Sequence, residues 1–354
     1  MAALLKPRDR APASTPSLRR RIGWLFAGLV GANLLAWMWA FSLFHAQPLM
    51  LGTALLAWGL GLRHAVDADH IAAIDNVTRK LMQQGQRPIS VGFWFAIGHS
   101  AIIAVASTTI ALTTTALAQF SAFKDIGALI ATSASALFLF TIAAMNLVIL
   151  RSVWRTFRHV RAGGTYVEED LDILTGSRGV LSRVFGRLFR LVAKPWHMAP
   201  LGFLFGLGFD TATEVAILGM SASQAANGLS IATILVLPAL FAAGMALIDT
   251  VDGVVMLGAY EWAFVKPIRK LYYNITITLI SAAVAIVIGG IETIALIGSR
   301  FALTGWPWSF AADLGTHFNS LGFAIIALFV ACWVASFAIY RWKRLDEIEV
   351  STTP

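Results

Sequence analysis

The chain has 354 residues, 58% of them hydrophobic and only 13% charged, with a mean hydropathy of +0.73. A water-soluble domain carries roughly a quarter charged residues, so a soluble enzyme is excluded and much of the surface must face lipid. The formal net charge of +8 matches a nucleic-acid binder in amount but not in distribution, because the basic residues crowd into every second gap between apolar runs and form no basic face.

Lys6, Arg8, Arg10 and the run Arg19-Arg20-Arg21 precede the first apolar stretch. That pattern resembles an export signal. The stretch is longer than the usual h-region of about 7–15 residues and lacks a small-residue cleavage site, so it reads as a retained first span. A membrane helix needs about 20 apolar residues, and eight segments qualify: Gly23–Phe44, Leu49–Ile74, Val91–Leu117, Ile126–Leu150, Leu201–Ser221, Leu229–Gly258, Asn274–Gly298 and Leu321–Tyr340. With the amino terminus inside, every Lys and Arg except Arg63, Lys124 and Arg300 falls on the cytoplasmic side. The positive-inside rule therefore predicts an all-α, eight-span membrane protein with both termini cytoplasmic. Trp24, Trp306, Trp308 and Trp342 lie near predicted span ends and read as interface anchors.

The one long polar interruption, residues 151–200, is expected to be a cytoplasmic loop within a single transmembrane domain covering 1–354. It holds an acidic patch at Glu168, Glu169, Asp170 and Asp172. A basic amphipathic stretch follows, with Leu181, Val184, Phe185, Leu188 and Val192 among Arg183, Arg187 and Arg190. It suits the anionic leaflet surface and equally a tether between two halves.

An internal echo joins those halves. Gly59-Leu60-Gly61-Leu62 in the second segment parallels Gly206-Leu207-Gly208-Phe209 in the fifth, and Phe95-Ala96-Ile97-Gly98-His99 parallels Phe241-Ala242-Ala243-Gly244-Met245. The intervals Gly59 to Phe95 and Gly206 to Phe241 agree to within one residue. Opposite predicted directions make segments one to three and four to six candidate inverted repeats, with chance likeness of short Gly/Ala/Phe strings the competing reading. Transporters often bind substrate at such a repeat interface.

Ionisable groups inside a membrane are costly and usually line a site or pathway. The second segment carries Arg63-His64-Ala65-Val66-Asp67-Ala68-Asp69-His70, the third Gly98-His99-Ser100, the fifth Asp210-Thr211-Ala212-Thr213-Glu214, and the sixth Met245, Asp249 and Asp252. On one continuous helix His64, Asp67 and His70 form a drifting stripe, so the second segment is expected to be central or locally unwound, which Gly59 and Gly61 permit. A lone intramembrane His more often hydrogen-bonds between helices than binds metal. Two His and two Asp within seven residues, with His99 and further acids nearby, reverse that reading. Imidazole and carboxylate suit nickel, cobalt, zinc, iron and manganese, while the single cysteine, Cys332, excludes thiolate clusters and disulfides. Candidate ligands are His64, Asp67, Asp69, His70 and His99. Arg63, Asp210, Thr211, Glu214, Met245, Asp249 and Asp252 are candidates for a pathway or a second layer, with Arg63 a possible structural partner of Asp210 or another acid. Asp75 and Glu292 fall near predicted helix ends, where solvation is easy, and read as structural.

No lysine is followed by Ser or Thr, so no Walker A loop exists to couple ATP, and transport by this chain alone is secondary. The four motifs, in order and spread over nearly the whole chain, resemble the nickel/cobalt transporter family and within it the HoxN-type nickel permeases. That resemblance implies high-affinity uptake of nickel, sometimes cobalt, across a bacterial plasma membrane for nickel- or cobalt-dependent enzymes. It implies no prosthetic group, the ion being the substrate, and no ATPase subunit. It also implies that His64, Asp69 and His70 are essential to recognition. Ala101-Ile102-Ile103 after Ser100 departs from the family's usual hydroxyl and valines, which bears on selectivity between nickel and cobalt. An intramembrane aspartyl protease is disfavoured because Phe209 interrupts the Gly-Asp pattern. A di-iron oxygenase needs more histidines than the three inside predicted spans.

Overall fold

The computed structural model describes residues 17–112, 116–161, 192–208, 211–263 and 267–342, which are helical apart from short turns, with no strand among them. The acidic patch, nearly all of the basic amphipathic stretch, and Asp210 lie outside the described residues.

Helix α1 (Leu18–Phe44) starts on Ser17, whose hydroxyl accepts from the Arg20 amide. Pro48 opens α2 (Pro48–His64), at the position where its missing N–H costs nothing. The expected second segment then breaks. Ala65 to Asp67 form a turn, Asp67 adopts an extended backbone (φ −67°, ψ 147°), and α3 (Ala68–Gln83) leaves at 53° to α2. His64, Asp67 and His70 thus do not share one helical face as a continuous helix would require; the bend folds them around a common point.

Next come α4 (Val91–Leu112), α5 (Ala116–Arg161), a 3₁₀ turn at Pro195–His197, and α6 (Met198–Gly206). The expected fifth segment is also interrupted, between α6 and α7 (Ala212–Ala226). The chain continues with α8 (Ile231–Ala263), α9 (Pro267–Arg300), α10 (Trp308–Thr316) and α11 (Phe318–Trp342). α5 continues to Arg161, so the stretch read as loop from residue 151 begins as helix. Among the described residues, five helices are long and apolar enough to cross a membrane, and the count rises to seven if the bent pairs α2–α3 and α10–α11 are each one span.

The packing is inside-out in polarity. Leu35, Met38, Leu55, Val105, Leu137, Val255 and Phe323 are exposed on the outside, as lipid contact requires. α3 is the opposite case: every residue from His70 to Met82 is buried, charged ones included. Its neighbours are α4, α5, α8, α9 and α11, so α3 is the central post of the bundle. Several helix contacts close on glycine, two of them reciprocally. In α2–α8, Gly61 lies against the Phe241 carbonyl and Gly244 against that of Trp58; in α4–α6, Gly98 lies against the Ala199 carbonyl and Gly202 against that of Phe95. No side chain fits at these points, and backbones in lipid approach this closely only through small residues.

Candidate metal site

His64 ends α2, His70 sits in the first turn of α3, and His99 lies mid-way along α4. All three are buried. One ligand nitrogen from each lies within 4.8 Å of the others, and ring centroids are 4.7 to 4.8 Å apart. Nε2 of His64 and Nε2 of His99 are 2.9 Å apart. Imidazole nitrogens about 2.0–2.1 Å from a first-row divalent ion would stand about 3 Å apart as adjacent ligands, so this pair already has ligand spacing.

The surrounding groups fix the rings. His64 Nδ1 lies 2.9 Å from Asp67 Oδ2 and 3.1 Å from Thr213 Oγ1. His99 Nε2 lies 3.0 Å from Glu214 Oε1. With Nδ1–H of His64 donating to Asp67, the Nε2 lone pair faces the centre and accepts from the His99 N–H, which Glu214 shares. A carboxylate behind an imidazole sets its tautomer and raises its basicity. His70 Nδ1 lies 3.4 Å from Asp249 Oδ1, while Nε2 of His70 and Nδ1 of His99 have no hydrogen-bond partner. A buried ring nitrogen without a hydrogen-bond partner, as His70 Nε2 is, suits a divalent cation as ligand.

Local sequence builds this arrangement. Thr211 caps α7: its hydroxyl accepts from the Glu214 amide and donates to Glu214 Oε2 at 2.9 Å, and Oε2 also accepts from the Thr211 amide. This capping box leaves Oε1 free to turn to His99. The α2–α3 break is held from α11, where the Asn319 side-chain amide donates to the Arg63 carbonyl (2.6 Å) and to Asp67 Oδ1 (3.3 Å), and Gly322 packs on the Val66 carbonyl. Phe95 stands edge-on to His70 at 4.7 Å, and Phe241 lies 5.5 Å from His64; these rings exclude water.

Of the sequence candidates, the structure brings together His64, Asp67, His70, His99, Thr211, Glu214 and Asp249. Asp69 is half-buried in the first turn of α3, and the Arg63 side chain is exposed. Met245 is buried in the apolar cluster around Phe241. Asn319, Thr213 and Phe241 were not among the candidates. The expectation that Asp75 and Glu292 are readily solvated is corrected: both are buried, because α3 runs on to Gln83 and α9 to Arg300. Ser135 donates to Glu292 at 2.9 Å.

The profile of a protein family described as "High-affinity nickel-transport protein", NicO, matches residues 50–339. The chain belongs to the NicO family. Among its relatives, the "High-affinity nickel transport protein" of Cupriavidus necator is 57% identical over 95% of this chain and 96% of its own length. The "Nickel transporter NicT" of Mycobacterium tuberculosis is 43% identical over 92% and 90%. The "Cobalt transport protein NhlF" of Rhodococcus rhodochrous is 38% identical over 96% and 97%. No solved structure matches this NicO member.

Proposed function

We propose that this NicO protein is a secondary importer of divalent nickel, with cobalt as a second substrate, and that His64, His70 and His99 bind the ion. The observation that carries the reading is the meeting of three buried imidazoles from three helical segments, with Asp67 on Nδ1 of His64, Asp249 on Nδ1 of His70 and Glu214 beside the His99 Nε2 that faces His64. The carboxylates orient the rings and offset the charge of an ion held at low dielectric. Asp69, Asp210 and Met245 are assigned to the approach. The protein is a transporter rather than an enzyme, and nickel is cargo rather than cofactor. A membrane potential of 100 mV, negative inside, favours entry of a divalent ion by about 4.6 kcal/mol, which removes the need for an ATPase subunit.

The proposed topology has eight spans in a bacterial plasma membrane, with both termini and the segment after α5 on the cytoplasmic side. α6 and α7 make the eighth span, broken beside the site as α2 and α3 are. Reciprocal packing supports inverted repeats: the Gly-rich half-helix of each half lies on the Phe-Gly helix of the other, α2 on α8 and α6 on α4, with the Phe241 and Phe95 carbonyls each meeting a glycine. Rocking of one repeat on the other gives alternating access.

The deciding experiment is uptake of radioactive nickel, with cobalt competition, in cells matched for expression of wild type and His64→Ala. Uptake in wild type, reduced by cobalt and abolished by the substitution, is the expected result. Wild-type uptake no higher than in cells lacking the protein defeats the importer reading.

A further inference from the structure

Beyond the histidines, α3 carries a second buried polar group of residues. Asp75 is fully buried, with Tyr260 of α8 donating to its Oδ1 and Ser281 of α9 to its Oδ2 at 2.7 Å. Arg79, one turn on, donates to Thr278 Oγ1 at 3.0 Å and to Asn76 Oδ1, which also accepts from Asn146 at 2.6 Å. Between this group and the histidines, three buried oxygens have no hydrogen-bond partner: Asp249 Oδ2, Asp252 Oδ2 and Thr78 Oγ1. They are neighbours. Asp249 and Asp252 lie one turn apart on α8. A Cβ on Gly253, the residue after Asp252, would stand 3.9 Å from the Thr78 hydroxyl, so Thr78, itself wholly buried, points at this turn. Asp75 and Thr78 lie one turn apart on α3.

Resting on the importer reading, we propose that Asp252, Thr78 and Asp75 form a second, all-oxygen cation station. It receives the divalent ion from the histidines, with Asp249 shared between the two sites, on the way to the cytoplasmic end of α3. From His70 to Asp75 is about 7.5 Å along the helix, one short step for an ion. Against the carboxylates of Asp249, Asp252 and Asp75 this stretch sets one guanidinium, Arg79. Lys80 points elsewhere, into the cavity between α3, α5 and α6 lined by Trp196 and His197. Asp249 and Asp252 each keep one oxygen without a partner, which is costly in a low-dielectric interior, and a divalent cation would satisfy both. Oxygen ligands hold nickel less firmly than imidazoles do, and an exit station must bind weakly enough to release.

The test uses purified full-length protein in detergent, first loaded with one equivalent of nickel, then titrated with Mn²⁺, which prefers oxygen ligands, and followed by the electron paramagnetic resonance signal of free Mn²⁺. Wild type is expected to take up one further equivalent. Asp252→Asn and Thr78→Val should each weaken that Mn²⁺ binding by about tenfold or more. Both should still bind nickel at the histidines and run as single species on gel filtration, which guards against misfolding. Absence of a Mn²⁺ equivalent in nickel-loaded wild type overturns the station, as does unchanged Mn²⁺ affinity in folded Thr78→Val and Asp252→Asn proteins. Failure of the importer reading is separate, because it shows as lost nickel uptake or lost nickel binding at the histidines in wild type.

Discussion

Asp67 stands where two jobs meet: it begins α3 and it holds the ring of His64. Removing it leaves His64 without its orienting carboxylate. Asp67→Ala should therefore raise the KM for nickel uptake by about 10–100-fold at unchanged protein level, and an unchanged KM would separate the carboxylate from recognition. Glu214 makes the matching case from the other half, dividing its oxygens between a helix cap and His99. Glu214→Gln keeps the cap geometry while removing the charge, so uptake should fall with little change in thermal stability. The histidines were legible in the sequence because an ionisable group in an apolar run is too costly to keep unless a site or pathway uses it. Asn319 was not, since an amide near a span end looks like any other interfacial residue until the neighbouring break shows what it holds. The burial of Asp75 is hidden for a related reason: apolar composition places the end of a span where the lipid-facing character ends, whereas α3 stays buried well past that point.

At the scale of the helices, the α4–α6 contact sets the position of His99, because Gly98 touches the Ala199 backbone immediately beside it. A valine there must push the helices apart. Overpacking of this kind costs about 1–3 kcal/mol, so Gly98→Val should lower the melting temperature of the detergent-solubilised protein and reduce nickel uptake together. Gly23→Ala, with open space around its Cβ position, should do neither and serves as the control. The breaks in the second and fifth segments show the limit of composition as a guide. Hydropathy averages across a span and registers two apolar halves as one helix. What interrupts them is local: Asp67 in an extended conformation at one break and the Thr211–Glu214 capping box at the other.

For the molecule as a whole, the class was legible from charge and hydropathy alone, since so few charges cannot cover a water-facing surface and a bundle with an apolar exterior and a polar centre accommodates them. The span count was less so, because α6 and α7 are each too short to cross a membrane alone and the break between them leaves no mark in composition. The proposed topology makes a direct prediction in a Cys332→Ser background. A cysteine introduced by Ser299→Cys should react with a membrane-impermeant thiol reagent added outside intact cells, and one introduced by Ser17→Cys should react only after the membrane is opened. The reverse pattern would invert the bundle and the direction of the pathway with it.

The central position of α3 also constrains how the protein is made. A helix bearing His70, Asp75, Asn76, Arg79 and Lys80 has no comfortable place in lipid on its own, yet in the finished bundle it touches α8, α9 and α11, which leave the ribosome long after it. During synthesis α3 must wait in the insertion channel, at the membrane surface or in a provisional pairing until those helices arrive. Its later partners therefore assemble around it, and a chain cut short before α8 has only α4 and α5 with which to retain the segment that bears the histidines of its own first half.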